Sequence, residues 1–254
     1  MNILAFFAHP DDETMLCGGV LARLAKEGCP VHYLSATRGE GGETGEPPLC
    51  EPSQLGEVRE RELVCAVQAL GGRSLTFLGY VDPTVGPGEE LFAYTDNLTL
   101  LAGQVAASIR QFSADAVITH GSDGEYGHPA HRLTHLAARL AVESLGEAAP
   151  LLYTVAADYP DFPRKRLANK SDPAHLVIDI APVLAQKQAA ALCHRTQHAL
   201  FLRRRSQELG RQLSVPEVVM PVESLHRAIP PVDGKLDDPL ARLLAPWDIL
   251  KTYV

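Results

Sequence analysis

The sequence predicts an α/β fold: a mostly parallel sheet flanked by helices, with an irregular C-terminal extension. Three observations predict it. An apolar run over residues 3–8 is followed by a helical pattern over 14–27, and Pro30 then restarts the chain into a second apolar run over 31–36. Strand, helix and strand joined by short connections form a βαβ unit, so the first two strands run parallel. The alternation returns with a strand at 74–78, a helix at 98–112, a strand at 115–120 and a helix opening at Pro129. Two loops rich in histidine and carboxylate, 8–13 and 121–131, follow the carboxyl ends of two of those strands, where open α/β sheets bind ligands.

The first helix is closed by Gly28. After the second strand comes the stretch 37–48, whose four glycines and two prolines forbid regular structure. A long loop at a strand's carboxyl end is usually functional, although a solvated acidic loop is the plainer reading. Residues 55–70 carry helical periodicity through Leu55, Val58, Leu63, Ala66, Val67 and Leu70, and Gly71-Gly72 stops it. The run Arg59-Glu60-Arg61-Glu62 reads by itself as a solvated face with local ion pairs. A second Gly/Pro-rich loop, 79–97, contains Asp82 and Pro83. Beyond Pro150 the pattern gives a strand at 151–156, a basic proline-broken loop at 159–170, a strand at 176–180 and one long helix from Pro182 to about 205. The proline-rich 206–254 lacks a clear period. It is expected as an extension of the 1–205 domain, packed over the core or at a subunit contact, so a homo-oligomer is allowed for.

Apolar content of 46% is that of an ordinary globular chain. A net charge of −8 argues against a nucleic-acid or anionic-membrane surface. No apolar run reaches the roughly 18–20 residues that cross a bilayer, and no leader is evident at the N-terminus. The five cysteines form no CxxC pair and are odd in number, which predicts free thiols in a cytoplasmic setting.

Ala8-His9-Pro10-Asp11-Asp12-Glu13 puts one imidazole and three carboxylates in six residues. Taken alone, this is a turn followed by N-capping and dipole complementation. The second loop, Gly127-His128-Pro129-Ala130-His131, lies at an equivalent strand end, so the two converge. Two imidazoles and a carboxylate around an open position are the ligands of a hydrolytic zinc, and His9, Asp12 and His131 supply them. His135, four residues after His131, is a rival ligand, and His120 is read as structural or supporting. The same set also holds Fe(II). Asp11 is the natural general base for a metal-activated water, and His128 the donor to a tetrahedral oxyanion. The reaction class is metal-assisted hydrolysis of an amide or ester.

These motifs, with Thr37-Arg38-Gly39-Glu40, the 55–63 segment and the helix bearing Lys187, His194, Arg195 and Gln197, resemble the PIG-L/LmbE-like N-deacetylase family over about 2–200. The resemblance implies a Rossmann-like zinc hydrolase that removes acetyl from a small N-acetylglucosamine (GlcNAc) conjugate. It matches His9, Asp12 and His131 to the zinc ligands, Asp11 to the base and His128 to the oxyanion histidine. Arg59, Tyr126 and Glu43 fall where substrate contacts are expected, Glu43 the weakest of them. One position departs: Ala130 stands where the family has aspartate, which removes a carboxylate from beside His128, a role Asp123 or Glu125 would have to take. Two competing readings remain. Magnesium-dependent phosphoryl transfer or phosphohydrolysis on Asp11, Asp12 and Glu13 would leave the histidines idle. A nucleotide-binding module lacks its GxGxxG loop.

Overall fold

A computed structural model describes residues 1–250, so the last four residues of the 206–254 extension lie outside the described residues. The elements run β1 (Ile3–Phe7), α1 (Asp12–Lys26), β2 (Val31–Thr37), α2 (Leu55–Ala69), β3 (Ser74–Tyr80), α3 (Leu98–Phe112), β4 (Ala116–Thr119), α4 (Pro129–Glu143) and β5 (Leu151–Val155). They continue through β6 (Ala157–Asp158), β7 (Asn169–Pro173), β8 (Leu176–Asp179), α5 (Leu184–Cys193), α6 (His198–Leu209), α7 (Val215–Val218), β9 (Val222–Ile229) and α8 (Pro239–Leu244). The central sheet has the order β3-β2-β1-β4-β5-β9-β8. Its first five strands are parallel, and β9 runs antiparallel to both neighbours. The predicted mostly parallel sheet is therefore present.

Strand β1 shows why the sheet is buried on both faces. Ile3, Ala5 and Phe7 pack with α1 and α2 through Val20, Leu21, Leu63 and Leu70. Leu4, Phe6 and Ala8 pack on the other side with α3 and α4 through Leu101, Val105, Ala137 and Ala141. A continuous apolar run is what a period-two strand between two helical layers requires.

Four expectations change. The extension is not a coat over the core, because its β9 is threaded into the sheet between β5 and β8. Glu223 on β9 explains the placement. Helix α1 breaks its helical geometry at Cys17, and the Gly19 and Val20 N–H groups donate to the Glu223 carboxylate at 2.9 and 2.6 Å. Lys187 Nζ on α5 closes this buried cluster at 2.6 Å from Glu223 Oε1. Orphaned backbone donors in a dry interior need such an acceptor, and a strand from the extension carries it.

The single helix expected from Pro182 to about 205 is two, α5 and α6, separated by a turn over 194–197. That turn is drawn inward, where Thr196 donates through N and Oγ1 to Glu62 at 2.8 and 2.7 Å. Glu62 and Arg59 are accordingly buried, so the charge run on α2 is not a solvated face. Finally, the thiols are not all free: Cys65 on α2 and Cys193 on α5 form a disulfide, leaving Cys17, Cys29 and Cys50 unpaired. The pairing was hidden because the two cysteines are 128 residues apart. Among the described residues no helix is long and apolar enough to cross a membrane.

Candidate metal and catalytic centre

The turn after β1 delivers His9, Asp11 and Asp12, and the loop before α4 delivers His128 and His131; β1 and β4 are neighbours in the sheet. The two loops therefore meet. Asp12 is the hub: Oδ2 lies 3.3 Å from His9 Nδ1 and accepts from the His9 N–H at 2.9 Å, while Oδ1 lies 3.3 Å from His131 Nε2. His9, His128 and His131 place a ring nitrogen each within 4.8 Å of one another, and Asp12, His120 and His131 form a second such trio.

Whether these side chains suit a divalent metal is answered by His131. Its Nδ1 is 2.6 Å from Glu125 Oε2, which fixes the proton on that nitrogen and frees Nε2. Nε2 is buried without a hydrogen-bond partner and faces Asp12. A buried imidazole lone pair beside a carboxylate and a second imidazole is the donor set of a hydrolytic metal, so the residues fit. In the protein by itself, burial disfavours charge on His9, but hydrogen bonds and charge from Asp12 and Asp82 outweigh it and raise its pKa to about 9. Loading a metal there displaces protons, so affinity falls on acidification.

Asp11 adopts φ 110° and ψ −28°, a backbone conformation strained for any residue other than glycine. Two contacts hold it there. Its N–H donates to Glu13 Oε2 at 3.0 Å, and Arg59 Nη2 lies 3.3 Å from its Oδ2 while also donating to the Pro10 carbonyl. Arg59 Nη1 donates to the Gly39 carbonyl at 2.9 Å. Gly39 is required for that approach, since a Cβ there would sit 2.2 Å from the Arg59 guanidinium. Burial pushes the Asp11 carboxyl up to about 6, against the pull of Arg59 and with Asp12 adding to the rise.

His128 caps α4. Its Nδ1 accepts from the Ala130 N–H at 3.2 Å, so a neutral ring carries its proton on Nε2. Burial, followed by the fields of His131 and His9, pushes its pKa down to about 3. Tyr126 stands edge-on to His128 and His131, with ring centroids 5.7 and 5.6 Å away, and is half exposed.

Of the two rivals, His135 is set apart from the centre and His120 stays beside Asp12. His135 turns away, with Nδ1 3.0 Å from the His120 carbonyl. His120 is fully buried between Asp12, 3.3 Å from Nε2, and Glu125, 3.0 Å from Nδ1, and its Nε2 also accepts from the Ala8 N–H. Glu125 thus serves His120 and His131, and not His128, so it does not stand in for the carboxylate missing at Ala130; Asp123 is likewise engaged elsewhere, by Ser171. Glu13 faces away from the metal trio toward Thr14, 2.5 Å away, and His194, 3.3 Å away, so the three carboxylates of the magnesium reading are not assembled. Two residues expected as substrate contacts have partners within the chain. Glu43 is half-buried and forked by Arg203 at 2.8 and 2.9 Å, because α6 presents that guanidinium to the acidic loop. Arg59 is buried and engaged by Asp11 and two carbonyls, which makes it a support for the base.

Asp82 is the residue that sequence reasoning missed. Its Oδ1 is 3.1 Å from His9 Nε2, and the His9 interaction holds its carboxyl below the usual range in spite of burial. The Asp82-Pro83 pair in a Gly/Pro-rich loop was the available signal, but nothing in its spacing pointed to His9.

The chain was compared with known proteins. The family profile described as PIG-L, GlcNAc-PI de-N-acetylase, matches residues 4–142. A 1D-myo-inositol 2-acetamido-2-deoxy-alpha-D-glucopyranoside deacetylase from Rhodococcus jostii is 32% identical over 238 residues, covering 77% of this chain and 81% of that protein. The deacetylase of the same name from Mycolicibacterium smegmatis is 28% identical, covering 85% and 86%. Among solved structures, N,N'-diacetylchitobiose deacetylase from Pyrococcus horikoshii superposes with a TM-score of 0.58 at 19% identity, covering 89% of this chain and 83% of that one. The 4-carboxy-2-hydroxymuconate hydratase from Pseudomonas putida gives 0.61 at 20% identity, covering 93% and 99%. These structural likenesses speak to the fold alone, and the hydratase illustrates that one fold hosts different chemistry.

Proposed function

The chain belongs to the PIG-L family, and from that premise we propose that it is a zinc-dependent deacetylase releasing acetate from a small GlcNAc conjugate. The observation that carries the site assignment is the orphaned, buried Nε2 of His131 facing Asp12 beside His9, with the Asp11 carboxylate next to them in a strained backbone.

His9, Asp12 and His131 would hold the metal, and Glu125 and Asp82 orient the two imidazoles. When bound, zinc activates a water and polarises the acetyl carbonyl. Asp11 takes the proton of the attacking water. A carboxyl raised to about 6 is a stronger base than an ordinary aspartate and is still ionised at neutral pH. Arg59 holds that carboxylate in place and keeps it from rising further. His128 is neutral, with its proton on Nε2, so it donates a hydrogen bond to the oxygen that gains charge. Asp11, once protonated, is the group placed to return the proton to the departing amine. A cytoplasmic setting is part of this reading, and among the described residues no helix is long and apolar enough to cross a membrane.

Elemental analysis of purified protein, paired with acetate release from GlcNAc conjugates with and without chelator, tests this reading. About one zinc per chain and chelator-sensitive acetate that disappears in His9→Ala is the expected result. Iron in place of zinc would change the metal and keep the reaction. Absence of any transition metal after reconstitution would overturn it.

A further inference from the structure

Beside Tyr126 the surface opens into a cleft of about 390 Å³ whose lining includes Arg132, Arg166, Lys170 and Arg204. Its position matters because Tyr126 touches His128 and His131 and also lines the cleft, so one side chain joins the reaction centre to it. The volume is that of a small-molecule site.

The charge in the cleft is unbalanced. Two acids line it, and both are engaged elsewhere. Asp123 accepts from the Ser171 N–H at 3.0 Å and Oγ at 2.8 Å, and Glu125 serves His120, His131 and the Gly121 N–H. Arg132 Nε donates to the Asp123 backbone carbonyl at 2.8 Å, and Arg204 reaches Glu208 only at 3.6 Å, a carboxylate it shares with Arg205. Among the described residues, neither Arg166 nor Lys170 has a carboxylate within 4.0 Å. Burial and then the nearby Arg204 charge disfavour the Arg166 cation, against a smaller pull from Glu208, so the positive groups are crowded. In a chain of net charge −8, such unpartnered crowding at the mouth of a catalytic site is a cost that an anionic ligand would relieve.

We propose that this cleft is a subsite for an anionic group, phosphate or carboxylate, borne on the part of the substrate beyond the GlcNAc ring. The inference rests on the deacetylase reading and sharpens it. The sugar's acetamide lies at the histidine cluster, Tyr126 walls the passage, and Arg166 and Lys170 meet the charge. Arginine suits a forked contact to either oxyanion, and lysine adds a point charge.

The test compares three conjugates on zinc-loaded protein: methyl N-acetylglucosaminide, its carboxymethyl counterpart and N-acetylglucosamine 1-phosphate. At least one charged conjugate should exceed the neutral one in kcat/KM by about tenfold, the effect of one or two charge-assisted contacts. The preference should shrink with added salt and collapse in Arg166→Gln/Lys170→Gln, with Arg166→Lys retaining part of it. Which charged conjugate leads tells phosphate from carboxylate. Equal kcat/KM for all three in the wild type, or a ratio unmoved in the double variant, overturns the inference and leaves the deacetylase reading standing. If none releases acetate, that reading fails by itself, and calorimetry decides the cleft. Tighter binding of the phosphate than of the methyl glycoside, lost in the double variant, supports the subsite, and equal binding overturns it.

Discussion

The metal loops and the cleft wall make an instructive pair, since both are charged and Tyr126 touches both. In the loops every charged group has a partner chosen within the fold: Asp12 with three histidines, Glu125 with two, Asp11 with Arg59. In the wall Arg166 and Lys170 have no carboxylate within 4.0 Å among the described residues, and Arg204 shares Glu208 with Arg205. Groups that must hold a geometry are tied down on all sides, and groups that must greet a ligand are left with capacity to bind. The wall is also long-range: it brings together residues from α4, the 159–170 loop and α6, whereas each metal loop is a short local motif.

The sharpest way to break the comparison is Asp11→Asn, which removes the base and keeps its shape. We expect kcat to fall by about 10²–10⁴-fold with metal content unchanged, as for loss of a general base; a variant losing under tenfold would take Asp11 out of the mechanism. Glu125→Gln comes next. It should weaken zinc binding by roughly 10–100-fold, measured by competition with a chromophoric chelator. Unaltered affinity would mean His131 is oriented without it.

Arg59→Gln probes the tie on the base. Arg59 lowers the Asp11 pKa, so removing it should raise that pKa and move the acid limb of the kcat/KM profile to higher pH by roughly one unit. A shift downward would contradict the placement. In Ala130→Asp, a carboxylate beside His128 favours the imidazolium, so the pH dependence governed by His128 should move upward, and a superimposable profile would refute this account. The smallest effect is expected for Glu43→Ala, where an exposed ion pair is lost. Acetate release should stay within about twofold, since such pairs are worth at most about 1 kcal/mol; a large loss would restore Glu43 as a substrate contact.

How much was legible divides along the same line. The strand–helix alternation, the parallel strands and the metal loops were all readable, because each depends on spacing within a dozen residues. His9, Asp12 and His131 were chosen over His135 and His120 by ligand type and position; the geometry sets His9, His131 and His120 alike 3.3 Å from Asp12 and turns His135 away. That the Arg59 guanidinium meets Asp11 and the Pro10 and Gly39 carbonyls was not legible, because a motif position cannot say which neighbours a guanidinium will meet. The pairing of Glu43 with Arg203 was hidden for the same reason.

The sequence by itself thus determined the fold class and the metal-competent motifs, since hydrophobic period and residue spacing act locally and leave a local trace. Tertiary structure alone decided that β9 enters the sheet to bring Glu223 to a broken helix. It alone joined Cys65 to Cys193, set Asp82 against His9 and Glu125 against His131, and drew four separated cations to one cleft. Each of these is a contact between charged or polar groups far apart along the chain. Such contacts are set by which surfaces pack together, and no periodicity records that.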